Sequence, residues 1–157
     1  MQKDGKKMAR TVFNTFCSAL DSRGWKYQKN EDELTIRTGA KGDDLPLDLH
    51  IKIDEGRQLI YIRSPLLSIP EDKRREGASI ICAINYRLIR GCFDYDERDG
   101  EVVFRLGHAY TDSIIGPELC INLLSCVCST VDEFNDGIAL YVVGALSYED
   151  FLKKIRE

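Results

Sequence analysis

The residues of this 157-residue chain that most directly suggest metal, redox or nucleophilic chemistry are six cysteines and two histidines. The cysteines are Cys17, Cys82, Cys92, Cys120, Cys126 and Cys128. None forms a C-x-x-C pair, so neither a zinc knuckle nor a thioredoxin-like dithiol is spelled out. Cys126 and Cys128 lie two apart in a helical stretch, which puts them on different faces and disfavours a disulfide. A nucleophilic cysteine wants a nearby cation or a helix N-terminus to lower its pKa. Cys120, shortly after Pro117, is the thiol nearest such a position. It also falls on an apolar stripe, where a buried thiol acts as a small hydrophobe. His50 and His108 have no cysteine or second histidine at ligand spacing and are read as solvated surface residues.

Acidic and glycine-rich segments do no better. Residues 94–100 resemble a calcium loop, but counting from Asp94 puts Arg98 at position 5, Gly100 at position 7 and Arg105 at position 12. That loop requires oxygen ligands at 5, glycine at 6 and a bidentate glutamate at 12. Gly39, Gly42 and Lys41 lack the spacing of a phosphate loop, and no helix follows them. Asp43 and Asp44 are explained by a polar loop. No catalytic, cofactor-binding or metal-ligating residue is assigned. The alternative that stays open is a small-ligand site or enzyme using the loop from Gly39 to Asp44 or a reactive cysteine.

Composition bounds the partner. The charged fraction is 31%, the net charge −4 and the hydrophobic fraction 43%, which describes a folded chain with enough apolar residues for one core. A pI near 5.3 argues against nucleic acid, which needs a basic face. No apolar run approaches the length of a membrane span. The positive start is not followed by an apolar export segment, and the cysteine usage fits a reducing cytoplasm.

The elements follow from periodicity. Residues 1–7 read as a loose polar arm and 8–157 as a single domain. A first helix is expected over 8–23, with Val12, Phe13, Phe16, Cys17 and Leu20 on its inner face. Strands follow from Trp25 and over 34–37, then a loop over 38–45. Leu47, Leu49, Ile51 and Ile53 alternate with polar residues, the pattern of a strand with one dry and one wet face. Residues 58–63 return as its hairpin partner. Ser68 and Glu71 have capping-box spacing ahead of a helix reaching Ile89. Asp99-Gly100 marks a second hairpin. A long helix opens at Pro117 with Cys120, Leu123, Leu124, Val127, Val131, Phe134 and Ile138 at steps of three and four, and Ser147 with Asp150 caps a short last helix. Strand runs set between helices indicate an α+β fold with an antiparallel sheet.

Three stretches carry a family likeness. They are Gly91-Cys92-Phe93-Asp94-Tyr95-Asp96 with Asp99 through Arg105, the alternating strand 47–53 with its partner 59–63, and Val142 through Ser147 closing the long helix. Together with an α-β-β-β-α-β-β-α order over about residues 8–157, the chain resembles the YbjN-type bacterial proteins, which share the fold of type III secretion chaperones. The resemblance implies a small, acidic, usually dimeric protein that binds a client or regulatory partner protein, and it supplies no catalytic residue to carry over. Six cysteines are more than the resemblance leads one to expect.

The expected function is therefore a non-enzymatic, cytoplasmic, chaperone-like adaptor or regulator, working as a homodimer. Two surfaces are candidates for partner contact. One is the strand with Leu59 and Tyr61. The other is the middle helix, whose stripe of Ile80, Ile81, Ile84 and Leu88 is wide enough for core and dimer contacts together.

Overall fold

The computed structural model describes residues 2–157 and, for side chains, residues 4–157. Helix α1 (Gln2–Ser22) leads into four strands, β1 (Tyr27–Asn30), β2 (Thr35–Lys41), β3 (Pro46–Asp54) and β4 (Leu59–Ser68). A 3-10 turn (Glu71–Lys73) precedes α2 (Arg74–Arg87), which is followed by β5 (Cys92–Tyr95), β6 (Glu101–Ala109), α3 (Pro117–Val142) and α4 (Tyr148–Arg156). The six strands form one antiparallel sheet in the order β1-β2-β3-β4-β6-β5. The α+β reading holds; compared with the α-β-β-β-α-β-β-α order of the family likeness there is one more strand ahead of the middle helix and a short last helix.

All four helices lie on one side. The strands aim Ile36, Leu49, Ile51, Ile53, Ile60, Ile62, Phe93, Phe104 and Leu106 at them, each 3% exposed or less. The other face carries Arg37, Asp48, His50, Lys52, Tyr61, Arg63 and Arg105. The register puts Ile51 opposite Ile62 and Lys52 opposite Tyr61, so period-two alternation sorts the strands into one dry and one wet face.

Helix α3 is the backbone of the core. Pro117 sits in its first turn, where a missing N–H costs nothing. Each of its seven apolar-stripe residues is buried. Gly137 faces Phe151 of α4, and a Cβ there would lie 2.8 Å from the ring, so the glycine lets the two helices meet. At the other end Lys73 donates from Nζ to the carbonyls of Tyr141 and Val142 at 2.8 and 3.1 Å, satisfying groups the helix terminus leaves open. Tyr141 returns its hydroxyl proton to Glu76 at 2.9 Å. These bonds fix the start of α2 to the end of α3.

Several boundaries differ from the sequence reading. Residue 1 lies outside the described residues, but from Gln2 the expected arm is already helix: Gln, Lys and Met are good helix formers, and one glycine is tolerated. The first strand starts at Tyr27, not Trp25. Gly39 to Lys41 continue β2, with Gly39 opposite Asp48, because a strand already paired along its length keeps residues of low intrinsic preference. Ser68 makes no cap; Pro70 opens the 3-10 turn without a side-chain bond. Helix α2 stops at Arg87, where Leu88 turns extended, and Ile89 is left 99% exposed.

Candidate partner-binding surface

Helix α4 is short and amphipathic, and its cap explains its position. Ser147 accepts a hydrogen bond from the backbone N–H of Asp150 at 3.1 Å. Phe151 and Ile155 are then buried, while Leu152 faces α2 half-covered. Tyr148 and Ser79 share a hydroxyl bond of 2.9 Å, and Arg87 donates to the carbonyl of Ile155. Between the two helices runs a cleft of about 540 Å³ lined by Ser79, Cys82, Ala83 and Tyr86 on one side and Leu152, Ile155 and Arg156 on the other. Tyr86 at its lip is 93% exposed, and Ile89, three residues further along the chain, is 99% exposed. An isolated exposed hydrophobe needs no explanation, but a cluster beside an apolar cleft marks an interaction surface.

The residues named from sequence fall in two groups. Ile80, Ile81 and Ile84 are 1%, 3% and 0% exposed and belong to the core, so this part of the expected partner surface is corrected. The outward stripe is Ser79, Cys82 and Tyr86, one step around the helix. Its signal was present in the sequence as a second apolar row beside a stripe already sufficient for the core. Leu88 is half-buried beyond the end of α2. Leu59 and Tyr61 are also half-buried, on the wet face of a strand that has neighbours on both sides. They offer side chains to a partner but no free strand edge.

The sheet edges are treated differently. On β5, Asn85 donates from Nδ2 to the carbonyl of Phe93 at 2.9 Å and accepts from its N–H at 2.7 Å. A side chain of α2 thus occupies backbone groups another strand would need. Edge strand β1 is four residues long and mostly polar.

The groups considered for catalysis are dispersed. All six thiols are free. Burial pushes Cys120 up to about 11, and burial with the charge of Asp132 does the same to Cys128. Burial also raises Cys17 and Cys92. These thiols stay protonated at neutral pH, the opposite of nucleophile activation. His50 contacts Asp48 at 2.8 Å on the wet face. Burial alone would raise Asp48, but His50 and Arg37 outweigh it and hold the carboxyl low. Among the described residues no group of three or more His, Cys, Asp or Glu is placed to hold a metal ion. Gly42 begins a loop pinned to α3, with the Asp43 N–H donating to Asp132 at 2.9 Å. At positions 94–105 the acids bind arginines instead: Asp94 takes Arg105 at 2.8 Å, and Asp96 takes Arg98.

Two of the chain's paired carboxylates, Asp96 and Asp54, give the fold a modest acid dependence. Side-chain and backbone hydrogen bonds from Arg98 hold Asp96 down to about 2, and the backbone N–H of Arg57 lowers Asp54. A carboxyl depressed in the folded state stabilises above its unfolded pKa and loses that contribution as the pH falls through its folded value. Thermal midpoints should be level above about pH 5 and decline between about pH 4 and about pH 2. The decline should be shallow, because these pairs are mostly exposed. A midpoint unchanged at the acid end would mean the pairs do not persist in solution.

The fold places the chain in a recognisable class. It is similar to the crystal structure of YbjN, a putative transcription regulator from E. coli (TM-score 0.59, 11% identity, covering 78% of this chain and 87% of that one). It is also similar to the ExsC–ExsE complex (TM-score 0.55, 12% identity, 80% and 92% covered). A third is the HopA1–SchA chaperone–effector complex (TM-score 0.50, 15% identity, 75% and 88% covered). The fold is thus of the type III secretion chaperone kind. The family model described as YbjN, "Putative bacterial sensory transduction regulator", matches residues 14–140, and the chain belongs to that family. Among curated protein sequences none matches this one. No helix of the described residues is long and apolar enough to cross a membrane.

Proposed function

We propose that this chain is a non-enzymatic protein-binding adaptor or regulator of the cytoplasm, built as a homodimer that holds a client or regulatory partner protein. The observation that carries the reading is the outward row of α2, where Cys82 and Tyr86 border the apolar α2–α4 cleft, with Ile89 exposed three residues further along the chain. A two-fold contact needs one self-complementary patch on each copy, and this row is our candidate for it. The family description names a regulator, and two fold neighbours are complexes with other proteins. Both support the same direction.

The double variant Tyr86→Asp/Ile89→Asp tests it. Both side chains are exposed, so the fold should be unaffected within about 0.5 kcal/mol per site. Light scattering should give the wild type twice the 17.9 kDa chain mass and the variant the single-chain mass. Pull-down with mass spectrometry should show a stoichiometric partner for the wild type. A wild type at single-chain mass, or a variant whose mass is unchanged, would remove the dimer reading. The absence of any partner would remove the adaptor reading.

A further inference from the structure

Helix α3 packs under the sheet with Val131, Phe134 and Ile138, and one buried polar residue stands among them. Asn135 is 3% exposed, and neither its Nδ2 nor its Oδ1 has a hydrogen-bond partner in the chain. A carboxamide left buried and unpaired is costly and rare in folded proteins, so each of its polar atoms calls for a partner.

Above Asn135 the sheet opens. Strands β3 and β4 are in register from Asp54 opposite Leu59 to His50 opposite Arg63, and there their ladder stops. Strand β3 runs on beside β2 as far as Pro46, and β4 runs on beside β6 as far as Ser68, through an irregularity between Pro65 and Leu67. The edges that face each other beyond His50 and Arg63 share no ladder, so backbone groups on that side need another partner.

Between these edges and α3 lies a cavity of about 50 Å³, lined by residues 45–47 and 64–67 with Val131 and Asn135. Its size, charge and polarity select one ligand. A water takes up roughly 30 Å³ in the liquid, so the space holds one or two waters and no peptide or organic molecule. None of the lining residues is charged, so an ion would be buried there without a counter-charge. Asn135 brings two donor hydrogens and an acceptor, and Ser64, 1% exposed, brings a hydroxyl that can do both. Pro46 and Pro65 bring carbonyls without an N–H, which biases the strand edges towards acceptors that a water can donate to. A buried water makes about three hydrogen bonds, and this set supplies them.

We propose that Asn135 holds ordered water in the notch where β3 and β4 separate, one or two molecules that bridge its carboxamide to Ser64 and to the backbone of the two strands. The water takes the place of ladder bonds that β3 and β4 do not make. The sheet can then open at this end without leaving its interior polar groups unpaired. The site is separate from the α2–α4 surface and does not rest on the protein-binding reading.

Water-to-protein Overhauser spectra of the wild-type chain test this directly. The side-chain Nδ2 protons of Asn135 and the backbone amides of Leu47, Ser64 and Leu66 should show water contacts with the sign of a molecule that tumbles with the protein. Asn135→Leu, nearly the same size and apolar, should weaken or abolish the contacts at those backbone amides. The two pictures also differ in the sign of a stability change. If the carboxamide is dry and unpaired, Asn135→Leu removes a penalty and the urea midpoint rises. If the carboxamide holds water for the strands, the midpoint falls, with the ratio of folded to unfolded chain reduced at least roughly fivefold. A wild type without the water contacts at Asn135, contacts that persist unchanged in Asn135→Leu, or a midpoint that rises would each overturn the proposal. Should Asn135→Leu fail to fold, the wild-type spectra decide alone.

Discussion

Ile81→Asp is expected to give a chain with no cooperative unfolding transition. Ile81 is 3% exposed and lies in the same cluster as Ile80 and Ile84. Removing its side chain from the core costs about 2–5 kcal/mol by the usual large-to-small comparison. A carboxylate in its place must be desolvated without a partner or protonate, which adds several kcal/mol. Together these reach the lower part of the roughly 5–15 kcal/mol that holds a domain folded. From the sequence alone the same substitution reads as a test of dimerisation. The structure changes the expected observable from mass to folding. Circular dichroism during urea titration and the dispersion of an amide spectrum measure it. A folded Ile81→Asp chain with an altered mass would put Ile81 back on the surface.

That reversal shows where the sequence runs out. A strand such as 47–53 announces its dry face because alternation leaves a single solution. The α3 stripe does the same, and its seven residues from Cys120 to Ile138 are buried as their spacing requires. Helix α2 carries apolar residues on more than one face. Which row is core depends on where β5 and α4 pack, and α4 lies more than 60 residues further along the chain. Periodicity cannot supply that. Asn135 is harder still: it sits in the apolar row of Val131, Phe134 and Ile138, buried with both amide atoms unpartnered, and no period in the sequence announces that. Gly39 and Ala40 belong to β2 although their types suggest a loop, because pairing with β3 overrides their low strand preference.

Gly100→Ala is expected to produce the second large loss, and it tests how the two halves of the chain are joined. Gly100 has φ +78°, in the left-handed region, and a Cβ there would stand 2.0 Å from the carbonyl oxygen of Ile69. The two residues are already bonded, with the Ile69 N–H donating to the Gly100 carbonyl at 2.8 Å. The Gly100 N–H is used as well, by the carbonyl of Asp96 at 2.7 Å. The turn of the β5–β6 hairpin is thus tied to the segment that ends β4 and opens α2. Alanine in this conformation costs about 1 kcal/mol before any contact is counted. Relieving the clash must move Ile69, which is 1% exposed, and break its bond to the turn. The sum is on the order of 3–5 kcal/mol. Gly107→Ala is the control, because nothing lies within 4 Å of its added Cβ and its φ lies outside the left-handed range. That change should be neutral or raise stability by up to about 1 kcal/mol. Denaturant midpoints of the two variants should therefore move by unequal amounts. If Gly100→Ala loses no more than Gly107→Ala, the hairpin turn does not rest on Ile69. The second hairpin and the start of α2 would then fold without this brace between them.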